Sequence, residues 1–339
     1  MAVVMIEGFD HLAAGDFTAK GWTIGFTSVE TGRLGGKCAR FNSGNTLSTV
    51  KALPATYATV IIGFAFRRNA TPTTTRMFAQ LRQANGSTVI CQIGMDATGH
   101  LVIRDSAGTL LATGAAVMNV ATWYYVEVKA YVNGASGTVE GHLNGAADIA
   151  QATVNIGSTN FGSVYLGCPD NNHGFSNGWD YDDLYVADTS GAAPRNAYLG
   201  DVRVETIYPT ADGTNTAWAA STSTDVSCVD DATPNGDTDY ISDATAGHLE
   251  SFGTGDLTAS AGTVYGVQTN LWARKDDAAG TARTIAPLIR QGGTDYAGTT
   301  VALATTYADL TQIYNQDPTN SDWTISNVNA DEYGVKLVA

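Results

Sequence analysis

The sequence predicts an all-β protein built from two tandem antiparallel β-sandwiches, with very little helix. Residues 123–132 alternate strictly between apolar side chains and larger aromatic or charged ones, which is the period of a half-buried strand. Glycine is frequent, at 37 of 339 residues, and pairs such as Asn85-Gly86 separate the alternating stretches at hairpin spacing. No window of helical length shows a 3.6-residue apolar period. Together these observations favour short strands joined by tight turns.

The first half of the chain contains short strand patterns separated by turn residues. The predicted strands are 23–29, 37–41, 58–66, 77–81, 87–95 and 100–104. The clearest is 58–66, in which Val60, Ile62, Phe64 and Phe66 form one apolar face, while the opposite face carries smaller residues. This face is expected to point into the core of the first sandwich.

Four further strands follow in a regular order. Residues 123–132 and 137–145 are predicted to pair as a β-hairpin, and the second stretch ends at an Asn-Gly turn. Shorter strand patterns occur at 164–167 and 182–188. Their spacing is typical of a sandwich, which places binding chemistry on loops and exposed sheet faces.

A linker divides the two predicted domains, which we place at 1–195 and 196–339. The stretch from Asp188 to Tyr198 is rich in small residues and contains Pro194. Beyond it the predicted strands are 200–208, 247–252, 263–275, 284–291, 299–304 and 334–338. The halves also differ in charge: residues 1–199 have a balance of −2, and residues 200–339 a balance of −13.

Charge excludes several classes of partner. The formal net charge is −15, which argues against nucleic acid and against an anionic membrane surface, because both need clustered Lys and Arg. The longest apolar run, at 60–66, is too short to span a bilayer. The four cysteines are isolated in sequence and are expected to be buried thiols, with a disulfide between two of them as the alternative.

No catalytic residue is predicted, and we expect a protein that is not an enzyme. A sandwich glycosidase needs two carboxylates that project from one strand into the same cleft. Asp180-Tyr-Asp182-Asp183 comes nearest to this arrangement, but its adjacent carboxylates would point to opposite faces. Gly174-Phe-Ser-Asn-Gly178 has the letters of a nucleophile elbow, but no helix pattern follows it.

Calcium is the one cofactor that the sequence leaves open. Asp170, Asn171, Asp180 and Asp182 offer hard oxygen ligands within a short stretch. The alternative is purely structural, since Asp and Asn are common turn formers and strand caps.

Aromatic side chains are the candidate contacts for a saccharide or a protein partner. Trp179 and the face formed by Trp123, Tyr125 and Tyr131 could hold the apolar side of a sugar ring. The alternative is that these aromatics lie in the core or between subunits. Arg67-Arg68 is interpreted as a solvated strand end.

Several motifs resemble proteins of tailed bacteriophage particles. The run Trp123…Val-Glu-Val…Gly-Thr-Val-Glu-Gly-His-Leu-Asn-Gly145…Val-Tyr-Leu-Gly167…Asp182-Asp-Leu-Tyr-Val186 resembles the laminin-G/concanavalin A-like jelly-roll sandwich of virion proteins. The second half is similar to a small β-sandwich that follows it in many phage proteins. The matching residues there are Gly200-Asp-Val-Arg-Val204, Asp239-Tyr-Ile241, Gln316-Asp-Pro-Thr-Asn-Ser-Asp-Trp-Thr324 and Val328-Asn-Ala-Asp-Glu-Tyr-Gly-Val335.

This resemblance implies a structural component of a virion: a tail or head appendage, such as a head fibre, or a capsid decoration protein. Its expected partners are capsid, tail or baseplate proteins and further copies of itself, as a homo-oligomer. Residues 1–6 lack a basic region and a long apolar core, so synthesis in the host cytoplasm without a signal peptide is expected. Two alternatives stay open. One is a carbohydrate-binding adhesin module of a fibre or spike that touches host surface glycan; the other is a polysaccharide-degrading enzyme.

Overall fold

The computed structural model describes residues 2–23, 28–41, 48–169, 178–278, 280 and 282–339. Strands account for 49% of the chain and helix for 5%, so the all-β prediction is confirmed. The chain divides into two compact units, Met1–Val204 and Glu205–Ala339. The division follows Val204, whereas the sequence placed the domain boundary after residue 195.

The first unit is a sandwich of two antiparallel sheets. Its strands are Val3–Glu7 (β1), Ser28–Thr31 (β2), Lys37–Phe41 (β3), Ser48–Tyr57 (β4), Thr59–Arg68 (β5), Arg76–Arg82 (β6), Val89–Met95 (β7), His100–Asp105 (β8), Leu110–Val117 (β9), Trp123–Tyr131 (β10), Gly137–Leu143 (β11), Ala146–Val154 (β12), Phe161–Gly167 (β13) and Trp179–Ala187 (β14). The eight-stranded sheet has the order β12-β11-β10-β5-β14-β3-β2, and β1 also pairs with β14. The six-stranded sheet has the order β4-β13-β6-β7-β8-β9. Short 3-10 turns lie at Asp16–Thr18 and Gly134–Ser136.

Aromatic side chains join the two sheets of the first unit. Phe66 of β5 stacks on Phe78 of β6 with ring centroids 4.3 Å apart, and Phe64 meets the same ring edge-on at 6.0 Å. The Tyr181 hydroxyl of β14 donates to the Phe78 carbonyl at 2.8 Å. Burying each such ring stabilises the fold by roughly 1.5–3 kcal/mol, so this cluster anchors one sheet on the other.

The second unit is built on a separate sheet. Its strands are Pro209–Thr216 (β15), Ala219–Ala220 (β16), Ile241–Ser242 (β17), Leu249–Thr254 (β18), Val267–Ala273 (β19), Thr284–Gln291 (β20), Thr294–Ala297 (β21), Val301–Ala302 (β22), Ala308–Tyr314 (β23) and Glu332–Leu337 (β24), with a 3-10 turn at Val226–Cys228 and one α-helix, Ile325–Ala330 (α1). The main sheet has the order β15-β18-β24-β20-β21, and β22 pairs with β20. The β19–β23 ribbon forms its own two-stranded sheet.

The second unit has its own apolar core. Leu271 of β19 and Leu310 of β23 pack against a buried cluster of Ile285, Val335 and Leu337 from the main sheet. The ribbon therefore covers that sheet as the second layer of a sandwich. On a neighbouring part of the sheet, the short helix contributes Val328, which lies with Ile289 and Trp323 in a second buried cluster. The Thr324 side chain caps this helix by accepting from the Asn327 backbone at 3.0 Å.

Two sequence features have simple structural outcomes. Cys38, Cys91, Cys168 and Cys228 are buried free thiols. Among the described residues, no helix is both long enough and apolar enough to cross a bilayer.

Candidate functional site

The outer face of the eight-stranded sheet carries a row of polar and aromatic side chains, one from each of four adjacent strands. The strand register places Trp123 of β10 opposite Arg67 of β5, Arg67 opposite Asp180 of β14, and Asp180 opposite Arg40 of β3. We call Trp123, Arg67, Asp180 and Arg40 the Trp123 row. All four point away from the core, because their neighbours along each strand point inward.

Asp180 is the hub of the Trp123 row. Its carboxylate accepts from Arg40 Nε at 2.5 Å, from Arg67 Nε at 2.7 Å and from the Asn69 amide at 3.1 Å. The Asp180 side chain has no exposed surface, whereas the guanidinium side chains of Arg40 and Arg67 are 21% and 23% exposed. One buried anion therefore holds two cations in fixed positions, and both guanidinium side chains remain partly exposed.

Trp123 lies at the open end of this row. The Arg67 guanidinium carbon is 4.6 Å from the centroid of its ring, a cation–π geometry. The ladder between β10 and β11 starts only at Val126, so among the described residues no paired strand flanks Trp123 on the side away from Arg67. Trp123 is half-buried, and the cation–π contact with Arg67 holds its ring in place.

The structure does not bring the other predicted aromatics to the same place. Tyr125 has no exposed surface; its hydroxyl donates to the Asp183 carbonyl at 3.0 Å, and the Arg33 guanidinium lies 5.2 Å from its ring centroid. Tyr131 is half-buried, at the opposite end of β10. The predicted aromatic face is therefore split, with Trp123 alone beside the charged row.

Trp179 lies in the core and not on a surface. It is 1% exposed, and its ring meets Phe66 at 5.9 Å and Phe78 at 6.3 Å. Its neighbour Asp180 occupies the outer face, so alternation along β14 forces Trp179 inward. A ligand cannot reach this ring in the folded protein, which agrees with the alternative that placed it in the core.

Two adjacent carboxylates are buried next to the Trp123 row. The Asp182 carboxylate accepts from the Arg33 backbone at 2.7 Å and from the Asp183 backbone at 2.9 Å. Burial, with the nearby charge of Asp183, raises the pKa of Asp182 to about 8. Burial likewise raises the pKa of Asp183, against the opposing effect of the Val204 backbone N–H and the Arg33 guanidinium.

The calcium prediction stays a prediction. Asp170 and Asn171 lie outside the described residues, and the oxygens of Asp180 are occupied by arginine donors. In the described part of the chain, no three His, Cys, Asp or Glu side chains are grouped as they would be to hold a metal ion.

Residues 198–204 cover the middle of the same sheet face, and we call them the cover segment. The Tyr198 ring stacks on His142 with centroids 3.8 Å apart. The Gly200 backbone donates to Glu127 at 3.0 Å, and the Val204 backbone donates to Asp183 at 2.7 Å. The strand predicted at 200–208 is therefore wrong, because side chains of the sheet below satisfy these backbone groups in place of a neighbouring strand.

Sequence reasoning missed the arginines of the Trp123 row. Arg67 was interpreted as a solvated strand end, and Arg40 was not singled out. The alternation of β5 continues past Phe66, and it would have placed Arg67 on the outer face with Gly63. The partner Asp180 is 113 residues away in sequence, and no local pattern could supply it.

The comparisons with known proteins place no family on this chain. No family model and no curated protein matches it. A Trypanosoma rangeli sialidase is similar at 11% identity and a TM-score of 0.34; the match covers 48% of this chain and only 26% of the sialidase. The carbohydrate-binding module CBM66 of Bacillus subtilis matches at 11% identity over 50% of this chain and 96% of its own, with a TM-score of 0.34.

A third similar structure is domain 4 of AbnA, an extracellular arabinanase of Geobacillus stearothermophilus, in complex with arabinotriose. It matches at 15% identity over 55% of this chain and 93% of its own, with a TM-score of 0.37. The similar structures are β-sandwich folds of the concanavalin A-like and carbohydrate-binding-module type. Identities and TM-scores this low transfer neither a ligand nor an activity.

Proposed function

We propose that the first unit is a carbohydrate-binding module and that its saccharide lies on the Trp123 row. The observation that carries this proposal is the half-buried Trp123, whose ring packs on the Arg67 guanidinium in a row that also holds the partly exposed Arg40. A flat aromatic ring covers the apolar face of a sugar, and neighbouring guanidinium N–H groups donate to its hydroxyls. Because Asp180 already orders these groups, binding costs little side-chain entropy.

We propose that this unit binds its ligand without chemical turnover. A general acid or base must reach the reacting atoms, and Asp180 is buried with its oxygens held by two arginines. Asp182 is also buried, and its oxygens accept backbone N–H groups. These carboxylates serve the structure of the sheet face, which supports a binding role.

Replacing Trp123 tests the proposal. The full chain is screened on an array of bacterial and host glycans, and the best ligand is titrated by calorimetry. Trp123→Ala should weaken this affinity by roughly five- to 150-fold, since stacking of an aromatic ring on a nucleobase contributes about 1–3 kcal/mol and a sugar face is a similar flat contact. Tyr240→Ala is the matched control, because Tyr240 is a 43% exposed aromatic in the other unit. An array without any bound glycan, or equal losses in both variants, would count against the proposal.

We also propose, from the sequence resemblance alone, that this module works in a phage particle as part of an appendage or decoration layer. Several copies in one particle would turn weak saccharide contacts into firm attachment. Mass spectrometry of purified particles should then find this chain among the virion proteins, and its absence from them would refute this setting while leaving saccharide binding intact.

A further inference from the structure

The outer face of the six-stranded sheet, opposite the Trp123 row, presents two guanidinium groups. The register places Gln80 of β6, Gln92 of β7 and Arg104 of β8 side by side. Arg82 lies on the same face as Gln80, two residues further along β6. Arg82 and Arg104 are separated by one intervening strand, so their backbones are roughly 10–12 Å apart.

Each of the two arginines is held by a hydrogen bond to a glycine carbonyl in the hairpin that follows its strand. Arg82 donates to the carbonyl of Gly86 at 2.8 Å, and Arg104 donates to the carbonyl of Gly108 at 3.2 Å. Each glycine lies four residues after its arginine, in the hairpin that follows the strand, and has a positive φ of 70° or 85°. A side chain at either position would be strained, so glycine permits the carbonyl to face its arginine.

These two hydrogen bonds hold the guanidinium groups of Arg82 and Arg104 at the same end of the sheet, each beside its own hairpin. β6 and β8 are both antiparallel to β7, so they run in the same direction. The hairpins that follow them therefore lie at the same end of the sheet. Each guanidinium is tied to its own hairpin. This spacing favours two acidic groups on one chain over a single small anion.

Neither charge is neutralised within the described part of the chain. Arg82 lies over the Tyr165 ring, with its guanidinium carbon 3.8 Å from the centroid, and donates to the Gln80 amide oxygen at 2.7 Å. Neither Arg82 nor Arg104 forms an ion pair with a described carboxylate, and the Nε of Arg104 has no hydrogen-bond partner there. Arg33, Arg40 and Arg67 of the same unit each pair with an aspartate. Two half-buried, unpaired cations stand out in a chain with a net charge of −15.

The group between the arginines suits a hydroxyl-rich ligand. Gln92 donates one N–H to the Asp105 carbonyl at 2.8 Å and accepts from Gln80 at 3.2 Å. An amide has two N–H groups and two lone pairs, so with respect to the described residues Gln92 keeps one of each. A sugar hydroxyl both donates and accepts, so it can bond to both the N–H and the oxygen of the Gln92 amide. A carboxylate can only accept, so it can use the N–H alone.

We infer that Arg82 and Arg104, with Gln92 between them, form a second binding site, which takes an acidic polysaccharide through carboxylates on two of its sugars. Arginine suits this ligand, because its planar fork matches a carboxylate in a bidentate pair. Nucleic acid is disfavoured as the ligand, because tight phosphate binding needs many clustered cations. This face has only two arginines, in a chain with a net negative charge. The site lies on the opposite sheet from the Trp123 row and is independent of it.

Polygalacturonate oligomers and their methyl esters make a direct test with the full-length chain. The two probes share a backbone, and only the acid form carries charge. Calorimetry should detect binding of the acid oligomer and not of the ester or of the single sugar acid, and the affinity should fall as salt is raised. Binding of the ester as tightly as the acid, tighter binding of a single-stranded oligonucleotide, or no binding of the acid oligomer would overturn the inference.

Substitutions locate the site. Arg104→Gln should weaken acid-oligomer binding about tenfold or more, since a charged hydrogen bond contributes about 1.5–3 kcal/mol. Arg104→Lys keeps the charge and should recover only part of the affinity. Lys129→Gln removes one positive charge from the opposite sheet and should leave binding unchanged. Equal losses in Lys129→Gln and Arg104→Gln would mean that overall charge, and not this site, attracts the oligomer.

Discussion

At the scale of single residues, buried carboxylates distinguish the outer face of the eight-stranded sheet. Asp180 is balanced by Arg40 and Arg67, whereas Asp182 and Asp183 lie next to each other with Arg33 as their nearby cation. Burying a charge without full compensation shifts its pKa toward the neutral form. Three aspartates of one strand therefore differ in their electrostatics. Asp180 is neutralised by two arginines, whereas burial favours the neutral form of Asp182 and Asp183.

Asp182 should make the stability of the first unit depend on pH. Its pKa is raised from an ordinary value near 4 to about 8, so the folded state holds its proton more tightly than the unfolded state. The resulting stability is fully present below pH 4 and is lost as pH rises through about 8. Between pH 5 and pH 9, the free energy of unfolding of the native chain should fall by about 4 kcal/mol more than that of Asp182→Asn.

Urea denaturation at both pH values measures this difference. Asp201→Asn is the control for removing a carboxylate beside Arg33, because Asp201 pairs with the same guanidinium but its side chain is 47% exposed. A native-like pH dependence in Asp182→Asn would show that another group titrates in this window.

At the scale of elements, alternation predicted strands well where both neighbours in the sheet are strands. The inward set of β5 packs against Phe78 as expected. Edge strands β9 and β12 were missed: their exposed, Ala- and Thr-rich sequences carry little apolar contrast. Residues 200–208 alternate but form no strand, because an alternating pattern reports on burial and not on a hydrogen-bonding partner.

Trp179 and the Trp123 row show the same limit for the site. Alternation fixes which side chains share a face, but it cannot tell which face is covered. The sequence therefore offered Trp179, Trp123 and Tyr125 equally. Long-range pairings, such as Asp180 with Arg67, decide among them.

On the outer face of β5, Gly63 leaves space for the ring of Tyr185 from β14. A methyl group added to Gly63 would collide with the ring of Tyr185, whose hydroxyl donates to Glu127 at 2.6 Å. Gly63→Ala should therefore destabilise the first unit by about 1–3 kcal/mol or more, the usual range for overpacking a core.

Gly15→Ala is a suitable control for thermal denaturation of this variant. No atom lies within 4 Å of the added methyl group at Gly15, and its backbone has a right-handed helical conformation. Its melting temperature should stay the same or rise slightly. If Gly63→Ala melted like Gly15→Ala, the Tyr185 ring would have to move freely.

At the scale of the whole molecule, charge is unevenly divided between two units with separate cores. Met1–Val204 contains 13 basic and 15 acidic residues, while Glu205–Ala339 contains 5 and 18. Self-repulsion of like charges opposes the compact state and is weakened by salt. The second unit should thus be far more sensitive to ionic strength than the first.

Calorimetry should resolve this as two thermal transitions that respond differently to salt. Because each unit buries its own apolar cluster, we expect the units to unfold separately. Raising NaCl from 20 to 300 mM should increase the melting temperature of the second unit by roughly 2–5 °C and leave the first nearly unchanged. Gly63→Ala assigns the transitions, since it should lower only that of the first unit. A single transition, or a larger salt response in the transition that Gly63→Ala lowers, would contradict this division of charge and stability.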